Sequence, residues 1–142
     1  MNEQPCVFCA IVHGEAEASV VHQDETVLAL MDLRPVTPGH LLVIPRNHIV
    51  GLADLDAATG AAIWQRAHQL AGALRRSGLR CAGVNFFLAD GEAAFQEVFH
   101  LHLHVFPRYA GDRFRISADW RERPRAELDA AAALIRAAAA SS

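Results

Sequence analysis

The stretch His100-Leu101-His102-Leu103-His104 constrains the fold of this chain more than any other. Apolar and imidazole side chains alternate with a period of two, and Val105-Phe106-Pro107-Arg108 continues the run. Side chains alternate across a strand, so His100, His102 and His104 share one face and Leu101, Leu103 and Val105 the other. Residues 98–106 therefore read as a strand whose leucine face enters a core. A solvated face usually mixes polar types. This one carries imidazole alone, and it takes three of the eight histidines in the chain.

The rest of the chain supplies partners for that strand. Residues 19–23 (SVVHQ) and 26–32 (TVLALMD), separated by Asp24-Glu25, read as a hairpin. Residues 34–39 (RPVTPG) are turn chemistry, and residues 41–44 (LLVI) are a short buried strand ended by Pro45. Residues 54–76 have helical period, with Leu55, Ile63, Ala67, Leu70 and Leu74 near one face and Gly78 as the stop. Residues 82–88 (AGVNFFL) are a further strand, and residues 89–92 (ADGE) a turn. An alanine-rich helix covers residues 124–140, with Leu128, Leu134 and Ile135 expected to face inward. Strands joined by short turns pair antiparallel, and the helices then pack on one face of the sheet. The expected class is α+β, in one domain spanning residues 1–142.

Composition narrows the function. The net charge of −3 gives no polyanion-binding signature, so a nucleic-acid partner is not expected. No apolar run has the length of a membrane span, and Met1–Ala10 lacks the pattern of a signal segment, which points to the cytoplasm. Cys6, Cys9 and Cys81 are an odd number for a reducing compartment, and disulfides are not expected.

Imidazole titrates near neutrality and offers two distinct nitrogens, so a row of three can supply a nucleophile, an acid–base partner and a metal ligand. Same-face neighbours on a strand lie about 6.5–7 Å apart along the chain, which makes one metal shared by all three awkward. Cys6-x-x-Cys9 has the spacing of half a zinc site, although a pair of buried thiols has the same spacing. Two further zinc ligands would have to come from elsewhere.

At this point the sequence resembles the histidine-triad (HIT) family. His100-Leu-His102-Leu-His104-Val-Phe is similar to its motif of three histidines alternating with apolar residues. Cys6-Val-Phe-Cys9-Ala-Ile is similar to the opening segment, and the run from Asp32 through Pro38-Gly39-His40 to His48 to the central signature. Gly91 to Gln96 leads into the triad, and Pro107-Arg108-Tyr109 leaves it.

The resemblance implies a five-stranded antiparallel sheet with helices, a homodimer, and hydrolysis or transfer of a nucleotidyl group at the α-phosphate of a purine nucleotide. His102 would be the nucleophile and form a nucleotidyl-histidine. His104 would serve phosphate and leaving group, and His40 would support them. Phe8 and Ile11 would line the purine pocket, Asp32 would accept from ribose hydroxyls, Gln96 would contact phosphate or leaving group, and Asn85 joins the nucleotide-binding candidates. The zinc-bearing branch implies a closed structural Cys2His2 site from Cys6, Cys9, His48 and His100. The alternative is a nucleotide-binding, zinc-stabilised interaction module with vestigial activity.

Three positions depart from the family pattern. Phe95 stands where glycine is usual, and a side chain there resists positive φ, so a reshaped loop is expected. Glu97 replaces a hydroxyl and brings a carboxylate toward the phosphate. Ala89 replaces an amide. All three bear on the leaving group.

Overall fold

The computed structural model describes residues 5–141. Five strands form one antiparallel sheet in the order β1-β2-β3-β5-β4. They are β1 (Val20–Gln23), β2 (Val27–Met31), β3 (Leu41–Pro45), β4 (Gly83–Leu88) and β5 (Leu103–Arg108). Helix α1 (Val7–Val12) precedes the sheet, α2 (Ala57–Arg76) joins β3 to β4, and α3 (Arg125–Ala140) follows it. The α+β expectation holds.

Alternation in β2 and β3 divides the interior between the two faces of the sheet. Val27, Ala29, Leu41 and Val43 point to one side, where they meet Ile63, Ala67 and Leu74 of α2 together with Leu101, Leu103 and Val105. Leu28, Leu30, Leu42 and Ile44 point to the other side and meet Phe8 of α1. Helices therefore cover both faces and not one as expected, which is why both strands are almost continuously apolar. Helix α2 starts at Asp56, whose carboxylate accepts from the Thr59 N–H at 3.0 Å. It ends at Arg76, as the period over residues 54–76 predicts, and the Ser77 hydroxyl donates to the Leu74 carbonyl at 2.7 Å, so Ser77 closes the helix ahead of Gly78.

Two further expectations are corrected. The ladder of the histidine strand begins at Leu103, not at residue 98. Continuing the register of Leu41 with Val105 and Val43 with Leu103 would set Pro45 opposite Leu101, and proline has no N–H to donate. Leu101 instead donates to the Ile49 carbonyl, beyond β3, at 2.6 Å, so His100 and His102 hang on an irregular segment outside the ladder. The second correction concerns α3, which buries no residue: Leu128, Leu134 and Ile135 are all exposed. Its spacing defines an apolar stripe but not a surface for it, and α1 and α2 already cover the sheet. High alanine propensity accounts for a helix without that packing.

The turn before β3 places His40. Gly39 has φ +96°, and a Cβ there would stand 2.8 Å from Leu79 and 3.0 Å from Pro107, so only glycine fits. Thr37 donates its hydroxyl to the Pro107 carbonyl at 2.6 Å, and Tyr109 donates to Pro38 at 2.7 Å. The turn is thus tied to the end of β5, and His40 is delivered beside His104 on the neighbouring strand.

Candidate functional site

The first cluster is Cys6, Cys9, His48 and His100, whose donor atoms all lie within 4.8 Å of one another. Cys6 is the N-cap of α1, and its sulfur accepts from the Cys9 N–H at 3.4 Å, which turns both thiols to one side. His100 Nδ1 lies 3.3 Å from Cys6 Sγ and 3.6 Å from Cys9 Sγ, and His48 Nδ1 lies 3.3 Å from Cys9 Sγ. Zinc held tetrahedrally by sulfur and nitrogen requires S···N separations of about 3.5 Å.

The other nitrogen of His100 settles its role. Nε2 donates to the Pro45 carbonyl at 2.8 Å, which puts the proton there and leaves the Nδ1 lone pair facing the thiols. Burial keeps this ring neutral, as a ligand must be. Burial and the neighbouring Cys6 push the Cys9 thiol up to about 11, so two adjacent thiolates need a cation between them. The donor set is that of a closed structural zinc site.

His102 is oriented by the same segment. Its Nδ1 donates to the His100 carbonyl at 2.7 Å, so the Nε2 lone pair is free. The ring is buried and meets Phe8 edge-on, with centroids 5.2 Å apart.

His104 belongs to a second cluster, with His40 and Asp32. The Val36 N–H donates to His40 Nδ1 at 3.0 Å. The His40 proton must then sit on Nε2, which donates to His104 Nδ1 at 2.9 Å and stands 3.5 Å from Asp32 Oδ2. The hydrogen-bond chain assigns His104 as the Nε2–H tautomer. Burial, followed by the charges of His102 and His40, lowers His104 to about 4, and Asp32 only partly opposes this. Burial also lowers His40.

Both His102 and His104 line a cleft of about 580 Å³. Its apolar walls include Val7, Phe8 and Ile11 of α1, Leu30 of β2 and Leu42 of β3. Leu42 pairs with His104 in the ladder, which explains why apolar wall and imidazoles share one face. Ser19 and Asp32 add polar groups, while residues 33–35 and the segment bearing Phe95, Glu97 and Val98 form the rim. Volume and lining suit a small organic ligand with a few oriented polar groups. Val7, Ser19, Leu30, Leu33, Arg34 and Leu42 escaped the sequence reading. An apolar Leu33 inside an Asp-Leu-Arg-Pro turn was the one signal available.

Phe8, Ile11, Asp32, His102 and His104 are thus brought together at the cleft, with His40 behind His104. Two candidates lie elsewhere. Asn85 Oδ1 accepts from Arg108 at 2.9 Å, within a network in which Arg108 also grips Asp112 at 2.8 Å. Gln96 is buried: its Oε1 accepts from the Gly91 N–H at 2.8 Å, and its Nε2 donates to the Val50 and Val98 carbonyls. Its amide is fully engaged in closing the loop and does not line the cleft.

The loop itself differs from expectation. Phe95 adopts positive φ, +72°, with ψ 26°, so the loop keeps a glycine-like path with a side chain on it. Such a conformation costs on the order of 1 kcal/mol. Glu97 turns outward and lies 3.9 Å from Arg34, a contact between two well-exposed side chains that contributes little stability. Ala89 is buried.

The HIT-domain family profile matches residues 13–111. The HIT-like protein Rv1262c of Mycobacterium tuberculosis is 40% identical over 136 residues, covering 96% of this chain and 94% of its own. A Zn-bound histidine triad family protein of Mycobacterium smegmatis superposes with a TM-score of 0.74 at 45% identity, covering 94% of this chain and 96% of that one. A HIT family hydrolase of Legionella pneumophila gives a TM-score of 0.64 at 39% identity, over 71% and 90% of the two chains. The chain belongs to the HIT family. It shares the HIT fold with the zinc-bound and hydrolase members described above.

Proposed function

We propose that this protein hydrolyses, or transfers, nucleotidyl groups from purine nucleotide phosphoramidates or dinucleoside polyphosphates, through a nucleotide bound covalently to His102. One observation carries the reading: the Nδ1–H of His102 is held by the His100 carbonyl while the ring lines the cleft beside His104. A neutral imidazole with its tautomer locked is a competent nucleophile at neutral pH.

In this reading the purine lies between Phe8 and Ile11 and the ribose meets Asp32. The Nε2 lone pair of His102 forms a bond to the α-phosphorus as the bond to the leaving group breaks. The leaving group departs with that electron pair and takes a proton. His104 is neutral in the free protein and donates a hydrogen bond through Nε2–H to the phosphoryl group. The anionic substrate raises its basicity, so His104 takes up a proton from solvent as substrate binds and gives that proton to the leaving group. Water then attacks phosphorus, the P–N bond to His102 breaks, and the water proton returns to His104 as the nucleoside monophosphate leaves.

Zinc supports the same reading as a structural element. It ties α1, which carries Phe8 and Ile11, to the segment that carries His102. Held by Cys6, Cys9, His48 and His100, it would keep no open position and would take no part in the displacement. A homodimer in the cytoplasm completes the proposal. β4 leaves a six-residue open edge, with exposed Phe87 on it and exposed Trp64 of α2 packed on Phe86.

Incubation with a nucleotide phosphoramidate labelled in the nucleotide, followed by a rapid quench, tests the covalent step. Wild-type protein should carry acid-labile label, and His102→Asn should carry none and lose turnover by at least about a thousandfold. Turnover in the variant would remove the covalent mechanism.

A further inference from the structure

Phe95 is the anomaly of the cleft. It is one of only two non-glycine residues with positive φ among those described, and its side chain is 80% exposed. The fold therefore gains almost no burial from the ring, yet carries the strain of placing a side chain there. Glycine would remove both costs. Phe95 nonetheless lines the same cleft as His102 and His104.

A second exposed apolar side chain lies on the facing loop. Leu33 is 96% exposed and also lines the cleft. Arg34 and Glu97, the next residue and the next but one along the two loops, approach to 3.9 Å, so the loops that carry Leu33 and Phe95 come together at this end of the cleft. The inner wall of the cleft is already apolar through Phe8, Ile11, Leu30 and Leu42, beside Asp32. A nucleoside there leaves the far side of the α-phosphate, where the leaving group must stand, toward the two loops.

We infer that Phe95, with Leu33 opposite, is a specificity residue for the leaving group and selects substrates that carry a planar aromatic ring on the departing amine. This rests on the proposed function for the placing of the nucleotide. It extends that reading by naming the chemistry of the other half of the substrate. The ring stacks on Phe95 as aromatic pairs do, and the strained backbone holds the phenyl group out over the cleft instead of against the protein.

Binding separates this inference from the catalytic one. In a His102→Asn background, calorimetry compares adenosine 5′-phosphoramidate with its phenethylamine-substituted form. The aromatic form should bind about ten-fold more tightly, and Phe95→Gly in the same background should remove that preference while leaving the unsubstituted compound unaffected. Phe95→Tyr should keep it. Phe95→Gly should also raise the midpoint of thermal unfolding, because the strain is gone. Equal affinities for the two compounds, a preference that survives Phe95→Gly, or a glycine variant less stable than its parent would each overturn the assignment. Turnover by the parent protein is read separately: preference without turnover would leave Phe95 as assigned and remove the proposed reaction.

Discussion

Among the described residues two clusters have the donor spacing of a metal site, and one of those two is built to hold a metal. Cys6, Cys9, His48 and His100 form the first, Asp32, His40 and His104 the second. Spacing does not tell them apart. In the second cluster the donors stand 2.9, 3.5 and 3.9 Å from one another, a triangle whose corners lie about 2.0 Å from a common point, the length of a zinc–nitrogen bond.

The difference lies in what the outer nitrogen of each histidine meets. His100 gives its outer proton to the Pro45 carbonyl, so its inner lone pair is available. The outer nitrogen of His40 accepts a hydrogen bond from the Val36 N–H, so its inner nitrogen must carry the proton. A metal at that inner position would require an imidazolate. A carbonyl behind a histidine thus makes a ligand, and an amide N–H behind it makes a proton donor. The first cluster fixes structure, and the second orients His104.

The largest expected effect lies in the first cluster. Purified protein should contain about one zinc per chain, and Cys9→Ser should lose it and with it several kcal/mol of stability, measured by metal analysis and denaturant unfolding. Asp32→Asn should leave the zinc content unchanged. A second tightly held metal that disappears in Asp32→Asn would break the comparison.

Next comes the second cluster. His104→Gln should lower turnover about a hundredfold or more while zinc content stays at that of the wild type. His40→Ala should lower it less, since it acts through His104. Loss of metal in either variant would show that the clusters are not separate.

A smaller effect is the dependence of stability on pH. His104 is lowered from 6.5 to about 4 in the folded protein, and His40 is lowered in the same direction. The unfolded chain therefore takes up protons that the folded chain refuses. Stability is full above about pH 6.5 and falls as pH drops toward about 4. Between pH 7 and pH 5 the His104 share amounts to about 1 to 2 kcal/mol. Unfolding in the presence of a chelator should show a steeper pH dependence for wild type than for His104→Gln.

The smallest effect sharpens the rule itself. Val36→Pro deletes the N–H behind His40. His40 can then move its proton outward and free its inner lone pair, so the second cluster should gain weak affinity for added cobalt(II), seen as a change in its visible spectrum. No change would mean that the N–H is not what excludes the metal.

Much of this was legible before any coordinates. The alternation of His100 to His104, the Cys6-x-x-Cys9 spacing and the Pro38-Gly39-His40 turn carried the family resemblance and, with it, the zinc ligands and the roles proposed for the triad. What escaped was set by backbone groups or by packing choices. The carbonyls of Pro45 and His100 and the N–H of Val36 have no side-chain signature. Gln96 and Asn85 have the right chemistry for phosphate or sugar, but the loop and Arg108 engage them first. The apolar stripe of α3 looked like a core face and is exposed, because periodicity states that a helix has an apolar side and not what lies against it.

The amino-acid order by itself determined which side chains share a face, since period two on a strand is a local rule that no distant contact changes. It also determined the stock of chemistry, two thiols and a row of imidazoles. Only the tertiary structure decided which nitrogen of each imidazole carries the proton. That depends on which backbone group, brought in from 55 residues away at Pro45 or 2 residues away at His100, stands behind the ring. A sequence names the histidine, and the fold chooses its tautomer.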